Sequence, residues 1–187
     1  VKFTAELQKT CPQLGSEQLP VIGLVPFSDT LSVPRLSDLA AQLQATWINE
    51  GKAKQRRVLH SSLIASNIEH ELHKFIAGEL IISASDRIDV LLASSQATNN
   101  GVPLAGLVLT EHHAPNTQVL DFCQSAIKNG LPILHTPLST FATAEQLANL
   151  SNEIPVDGTE RADQVTRFVS SHINQEWLIQ VLNGDYK

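Results

Sequence analysis

The chain has 187 residues, 42% of them hydrophobic, which is enough for one full-sized core and an appendage. Nineteen acidic against 13 basic residues give a formal net charge of −6, which argues against nucleic acid or an anionic membrane as the main partner. No apolar run approaches the roughly 18 residues of a membrane span, and no signal peptide is evident, so we expect a cytoplasmic protein. The absence of methionine further suggests an excerpt from a longer chain.

The first fifty residues predict only two elements. An apolar run from Leu19 to Pro26 predicts a strand, and apolar residues at helical spacing from Leu36 to Leu43 predict a short helix. One strand and one helix cannot bury a core alone. We therefore expect them to pack on the later domain, on another subunit or on a missing domain, with the boundary in the polar stretch between Asn49 and Arg57.

From residue 58 onward, short runs of Val, Ile and Leu alternate with segments of helical period, which is typical of βα units. The predicted strands are Val58 to Ile64, Leu80 to Ser83, Ala105 to Thr110 and Pro132 to His135. Each run is too short for a helix and is bounded by turn residues. The class is therefore α/β, a three-layer sandwich with a mostly parallel sheet of four to five strands.

Apolar stripes predict the helices between these strands. Their expected buried residues are Ile68, Leu72, Phe75 and Ile76, then Ile88, Leu91 and Leu92, then Val119, Phe122, Cys123, Ala126 and Ile127. At the end of the chain, Asp157 and Glu160 resemble a capping box. They predict one long amphipathic helix that runs to about Asn183.

The segment that follows the second of these strands is the strongest candidate for ligand contact, because open α/β sheets bind ligands at the carboxyl ends of strands. Ser85 or Asp86 can cap the following helix. A cation at Arg87, in the first helical turn, is disfavoured unless carboxylates or an anionic ligand neutralise it. A structural ion pair with Asp86 and Asp89 and a binding role for Arg87 both remain open.

The next strand ends in Thr110, Glu111, His112 and His113, at the same edge of the sheet. The two histidines either touch an anion or belong to an ordinary polar loop. The candidate ligand-binding residues are Ser83, Ser85, Asp86, Arg87, Thr110, Glu111 and His112.

Motifs that would mark an enzyme are absent from the sequence: it has no GxxxxGK[ST] loop, GxGxxG fingerprint, GxSxG elbow or HExxH pair. His70 and His73 have a spacing that metals can use, but a solvated helix face explains them as well. Cys123 lies on an apolar stripe, which is typical of a buried, inert thiol, and Cys11 lies far from it in the sequence. We therefore predict no catalytic residue, no metal site and no cofactor.

The run AGELIISASDRIDVLLASSQATNNGVPLAGLVLT, Ala77 to Thr110, resembles the heart of the DRTGG domain found in the middle of long bacterial phosphate acetyltransferases. The upstream stretch Leu19 to Phe27 is similar to the junction with an N-terminal, dethiobiotin-synthetase-like domain. The downstream stretch Glu153 to Leu178 is similar to the helix that leads to the catalytic domain.

Two departures from the family pattern bear on the candidate site. Asp86 and Arg87 are followed by Ile88 and Asp89 instead of Thr-Gly-Gly. Where relatives can carry glycines after the LVLT strand, this chain has Glu111 and its neighbouring histidine. Because glycine lets a backbone approach a phosphate closely, these changes put any inherited anion binding in doubt.

The resemblance implies three segments: 1–52, a remnant of a P-loop-like domain with a linker; 53–157, a DRTGG α/β domain; and 158–187, a helix that leads to the transferase domain. It implies a non-catalytic regulatory and oligomerisation role in a homo-oligomer, in contact with the enzyme's flanking domains and with NADH, pyruvate or phosphoenolpyruvate as candidate effectors. The alternatives are a small-molecule or nucleotide-binding protein with its site at the strand ends, and a purely structural spacer.

Overall fold

The computed structural model of the chain describes residues 6, 9–16, 20–28, 31, 33–111, 113–149 and 159–183. They belong to two compact units. One unit is Ser32–Glu153, and the other combines Val1–Leu31 with Ile154–Lys187. None of the described helices has the length and apolar character that crossing a membrane requires.

The larger unit is built on a five-stranded sheet. Its strands are β1 Thr46–Asn49, β2 His60–Leu63, β3 Glu79–Ala84, β4 Gly106–Thr110 and β5 Ile133–His135. Their order is β1-β5-β4-β3-β2, with β2 to β5 parallel and β1 antiparallel to β5. The central strands β3 and β4 are almost entirely buried, as their continuous apolar sequence predicts. The predicted, mostly parallel sheet is confirmed.

Helices cover both faces of this sheet. They are α1 Leu36–Gln42, α2 Ile68–Glu71 with a 3-10 turn at Leu72–Lys74, α3 Ile88–Asn99, α4 Thr117–Phe122, α5 Gln124–Lys128 and α6 Thr140–Ala148. Successive strand residues point to opposite faces. Ile81 thus belongs to a core cluster with residues of α3 and α5, whereas Leu80 belongs to a second cluster with residues of α1. The predicted three-layer sandwich is confirmed.

The segment before residue 53 contributes to this unit. Leu36 and Leu43, at the two ends of α1, are fully buried against the sheet, and Thr46 of β1 pairs with His135 of β5. Of the three alternatives for the predicted helix, packing on the later domain is therefore the observed one. The expected boundary between Asn49 and Arg57 falls inside the compact unit, and the origin of residues 1–52 in a preceding domain stays a prediction.

The predicted buried faces of two helices are partly wrong. The first helix forms one α-helical turn and then a 3-10 turn, so its four-residue spacing is lost and Leu72 is 56% exposed. Ile76, just beyond it, is also exposed. In α3, Ile88 and Leu92 point outward. The residues of α3 that are buried are Val90, Leu91, Ser94, Ser95 and Thr98. Small hydroxyl residues fill part of the expected apolar face.

The third predicted helix is divided at Cys123 into α4 and α5. Phe122, expected in the core, is 83% exposed, so the expectation for this residue is wrong. Cys123 and Ala126 are fully buried, and Val119 and Ile127 pack against the core, as predicted.

The smaller unit contains α7 Thr159–Ser170 and α8 Gln175–Leu182. The predicted single long helix is wrong, because the chain turns between them and the Asn174 side chain caps α8 by accepting a hydrogen bond from the Trp177 N–H (3.1 Å). The predicted strand at Leu19 to Pro26 is also wrong over the described residues 20–28, where a single bridge joins Gly23 to Ile173. The predicted cap at Asp157 lies outside the described residues.

Candidate functional site

A cavity of about 380 Å³ lies between the loop after β3 and the loop after β4. Its lining residues are Ser85, Asp86, Ile88, Glu111, His113, Ala114, Pro115, Asn116 and Val119. The parallel strands β2 to β5 lie side by side in the sheet in the same order as in the sequence. The loops after β3 and β4 are therefore neighbours at the carboxyl edge of the sheet, and the cavity lies between them. This is the edge where ligand contact is predicted.

Ser83 and Thr110 lie within the strands and are fully buried. The Ser83 hydroxyl donates to the carbonyl oxygen of Ile64 (3.3 Å), and the Thr110 hydroxyl donates to the carbonyl oxygen of Ser83 (3.3 Å). The hydroxyls of Thr110 and Thr140 are 2.7 Å apart. These bonds satisfy buried polar groups and connect β3 and β4 with Ile64, just beyond β2, and with α6. Neither Ser83 nor Thr110 lines the cavity.

Arg87 is turned away from the cavity. Its guanidinium donates two hydrogen bonds to the Asp89 carboxylate (2.9 and 2.7 Å) and one to the carbonyl oxygen of Ser66 (2.9 Å). The bidentate bond raises the pKa of Arg87 and lowers the pKa of Asp89. Of the two alternatives left open by the sequence, this geometry favours the structural ion pair, with Asp89 as the partner.

The helix α3 begins later than the sequence predicts. Arg87 occupies its N-cap position and makes no side-chain capping bond, so the predicted caps by Ser85 and Asp86 are wrong. Both residues precede the cap position and line the cavity, where Asp86 is exposed. Asp89 is the acidic residue in the first turn of α3, where the positive end of the helix dipole favours a carboxylate.

Glu111 has a left-handed backbone conformation, with φ of 79°. Its N–H donates to the carbonyl oxygen of Leu138 (2.9 Å), and its own carbonyl oxygen lies 2.9 Å from Nε2 of His135. These contacts hold a conformation that costs a non-glycine residue about 1–2 kcal/mol. The Glu111 carboxylate also accepts from the Thr140 hydroxyl (3.4 Å).

The structure thus brings three of the predicted site residues together at the cavity: Ser85, Asp86 and Glu111. His112 lies outside the described residues. Sequence reasoning missed the apolar walls and Asn116, whose side chain caps α4 by accepting from the Gln118 N–H (3.0 Å). An Asn directly before a helical stripe is a recognisable cap signal, but nothing local indicates that it borders a cavity.

Within the described part of the chain, no three His, Cys, Asp or Glu residues are grouped closely enough to hold a metal ion. His70 and His73 are both exposed. The polar groups that line the cavity are the Ser85 hydroxyl, the Asp86 and Glu111 carboxylates, the His113 imidazole and the Asn116 amide.

Comparison with known families decides the classification. A family model described as the DRTGG domain matches residues 38–150, which is more than half of the chain. The chain belongs to the DRTGG domain family. The DRTGG match begins inside α1 and extends past the end of α6, so it covers the whole five-stranded sheet.

Three curated relatives of this DRTGG chain are phosphate acetyltransferases. The enzyme of Acinetobacter baylyi is 67% identical over 181 residues, which are 97% of this chain and 25% of that protein. The enzyme of Pseudomonas putida is 38% identical over 178 residues (95% and 26%), and that of Escherichia coli is 37% identical over 174 residues (93% and 24%). The chain spans about a quarter of the length of these relatives.

A solved structure is also similar to the DRTGG chain. It contains the CBS and DRTGG domains of the regulatory region of Clostridium perfringens pyrophosphatase, complexed with the activator diadenosine tetraphosphate. The TM-score is 0.50 at 16% identity, over 64% of this chain and 47% of that one. This likeness supports the fold.

The structure shows which contacts are made by the residues of this chain that differ from the DRTGG motif. Where the motif has Thr-Gly-Gly, this chain has Ile88, Asp89 and Val90. Ile88 forms part of the cavity wall, Asp89 holds Arg87, and Val90 is fully buried in the core. At the two positions where the motif has glycine, this chain thus has one residue of an ion pair and one residue of the core.

Proposed function

We propose that this chain is a non-catalytic regulatory and assembly segment of a phosphate acetyltransferase. The parent enzyme would interconvert acetyl-CoA and phosphate with CoA and acetyl phosphate through a transferase domain outside this chain. The observation that carries the proposal is the 67% identity to the A. baylyi enzyme across 97% of this chain but 25% of that enzyme. The segment works in the cytoplasm, which suits its unpaired cysteines, Cys11 and Cys123.

The burial of the potential nucleophiles supports a non-catalytic role. Cys123, Ser83 and Thr110 are fully buried, and the two hydroxyls are committed to structural hydrogen bonds. None of these three is presented to the cavity with a neighbouring base, as nucleophilic catalysis requires, and Ser85, which does line the cavity, makes no described side-chain hydrogen bond to a base. Formation of acetyl phosphate from acetyl-CoA and phosphate should be undetectable with this chain and restored in the intact enzyme. Turnover by the chain alone would refute the proposal.

Effector binding takes place at the cavity between the β3 and β4 loops. Its support is its position at the carboxyl ends of parallel strands and its exposed polar residues, Asp86 and Glu111. A ligand that binds the native state adds RT ln(1 + [L]/Kd) to stability, which is about 2.7 kcal/mol at 100 times Kd. We expect a saturable rise in melting temperature with one of NADH, pyruvate, phosphoenolpyruvate, ATP or acetyl-CoA. The same titration of the intact enzyme covers a site that needs the flanking domains, and no rise in either protein would reject effector binding.

The second candidate function is a structural spacer, and the Arg87 ion pair favours it, because this pair accounts for Arg87 in this chain without a ligand. Exchange of Arg87 for Ala in the intact enzyme discriminates between the two functions. Altered regulation at unchanged stability supports the regulatory role, whereas a change in stability alone supports the spacer.

Assembly as a homo-oligomer is the remaining part of the proposal, and the segment's contacts would be with other copies and with the enzyme's flanking domains. Sedimentation velocity of the chain over a hundredfold range of concentration tests it. A mass that stays at 20.4 kDa throughout would assign oligomerisation to other parts of the enzyme.

A further inference from the structure

The charges around the cavity are unusual for a site that would receive a small metabolic anion. Asp86 and Glu111 are both exposed and both line it. No Lys or Arg is among its lining residues in the part of the chain that the structure describes. A carboxylate or phosphate in this cavity would therefore face two negative groups with no lysine or arginine to offset them.

Arg87, which lies between the lining residues Asp86 and Ile88 in the sequence, is already committed to Asp89. The Arg87 guanidinium makes its bidentate bond there, and a further hydrogen bond fixes it on the Ser66 carbonyl oxygen. The same carboxylate lies in the first turn of α3, at the positive end of the helix dipole. Both features that commonly attract anions, a guanidinium and a helix N-terminus, thus already have a carboxylate of this chain beside them.

The remaining walls of the cavity are apolar. Ile88, Ala114, Pro115 and Val119 line it, and Ile88 is 46% exposed. A flat, apolar ligand surface would cover this side chain and remove it from water. The volume of about 380 Å³ lies near the lower end of the roughly 300–1,000 Å³ of small-molecule pockets, so it suits a ligand of the size of a base with its sugar.

We infer that this cavity binds the nucleoside part of a ligand, a flat and uncharged group that donates hydrogen bonds to Asp86 and Glu111, and that it rejects small carboxylates and phosphates. An exocyclic amine and ribose hydroxyls are donors, and carboxylates commonly accept from ribose hydroxyls in α/β proteins. The inference rests on the proposed function and specifies its site: the nucleoside end of an effector enters the cavity, and phosphates stay outside it.

Isothermal titration calorimetry of the 187-residue chain with adenosine tests the inference, because adenosine carries the donors without any charge. We expect saturable binding of adenosine and none of pyruvate, phosphoenolpyruvate or inorganic phosphate. Inosine replaces the amine by a carbonyl, and 2′,3′-dideoxyadenosine lacks the ribose donors. At least one of these two compounds should bind about tenfold more weakly than adenosine, the effect of losing a hydrogen bond to a charged group.

Matched variants locate the binding. Asp86→Asn and Glu111→Gln keep the size of each side chain and remove its charge, and each should weaken adenosine about five- to tenfold. Glu145→Gln removes the same charge from an exposed position on α6 outside the lining and should leave the affinity unchanged. Thermal melting without ligand checks that all three variants are folded.

Each other outcome overturns the inference and separates it from the proposed function. Saturable binding of an anion that is lost in His113→Ala would leave an effector site with the opposite ligand chemistry. Binding of NADH without adenosine, or adenosine binding that both cavity variants leave unchanged, would place the effector elsewhere. No binding of any nucleoside, nucleotide or metabolite, in the chain or in the intact enzyme, would reject both proposals.

Discussion

The strands β3 and β4 differ sharply between their middle and their carboxyl ends. In the middle, residues such as Ile81 and Leu109 are fully buried, and alternate side chains enter the two core clusters. Two residues beyond β3, and one beyond β4, the chain reaches Asp86 and Glu111, which are exposed carboxylates at a cavity. Packing determines the residue type in the middle, whereas nothing in the fold requires a carboxylate at the ends.

Hydroxyl groups mark the transition between these two regions. Ser83 and Thr110 are the last buried polar residues of their strands, and each is hydrogen-bonded to backbone. The comparison therefore predicts that substitutions in the middle alter stability, and that substitutions beyond the hydroxyls alter binding with little effect on stability. The following changes test it, from the largest expected effect to the smallest.

Exchange of Leu109 for Ala should have the largest effect. The side chain is fully buried in the core cluster that includes residues of α3 and α5, so its loss leaves a cavity and should cost about 2–5 kcal/mol. Urea denaturation measures the free energy of unfolding. Phe122→Ala is the control, because this side chain is 83% exposed and its loss should change stability by no more than about 0.5 kcal/mol. Equal losses would contradict the assigned burial.

Exchange of Gly106 for Ala should cost about 1–3 kcal/mol through overpacking. The new Cβ would overlap with Cδ2 of Leu36, which is fully buried at the start of α1, and would lie 3.2 Å from the Pro132 carbonyl oxygen. In urea denaturation, the double variant with Leu36→Ala should lose less than the sum of the single losses, because the shortened side chain makes room. Additive losses would show that α1 does not contact this strand as described.

The sequence predicts the middle of the sheet better than its margins for a physical reason. Parallel strands buried on both faces need continuous apolar runs, which are visible without any structure. The edge strand Thr46–Asn49 is half exposed and short, so it has no such run, and its pairing with β5 depends on residues 84 to 89 positions away. The buried face of α3 includes Ser94, Ser95 and Thr98, which hydropathy counts as surface residues.

The candidate site follows the same division. Its position could be predicted, because strand carboxyl ends share one edge, and so could the Arg87 pair with Asp89, which are two residues apart. The bond from Arg87 to Ser66 spans 21 residues and has no local signal. No local residue pattern predicts the left-handed backbone at Glu111. Long-range hydrogen bonds to Leu138 and His135 hold this conformation.

Exchange of Glu111 for Gly should separate backbone strain from ligand contact. Glycine adopts the φ of 79° without steric cost, whereas Ala keeps a Cβ in this conformation. Glu111→Gly should therefore be about 0.5–1 kcal/mol more stable than Glu111→Ala, after allowance for the greater freedom of glycine in the unfolded chain. Urea denaturation compares the two variants, and both should bind adenosine weakly. A less stable Gly variant would contradict the described backbone.

Exchange of Arg87 for Ala should have the smallest effect on stability at neutral pH, about 0–1 kcal/mol, because solvent screens the pair. The side chains of Arg87 and Asp89 are 25% and 41% exposed. Thermal melting from pH 7 to pH 3 measures the difference between the variant and the unchanged chain. Asp89→Asn in both backgrounds is the control, and it should remove the pH dependence of that difference.

The sign of this pH dependence follows from the lowered pKa of Asp89, which its hydrogen bond from Arg87 causes first. A carboxyl group whose pKa is lower in the folded state stabilises fully above its unfolded pKa, about 3.9, and less as the pH falls toward the folded value. The penalty of Arg87→Ala should therefore stay constant from pH 7 to about pH 5 and shrink below about pH 4. A penalty that already disappears between pH 7 and pH 5 would implicate a histidine instead, and the ion pair with Asp89 would no longer account for Arg87.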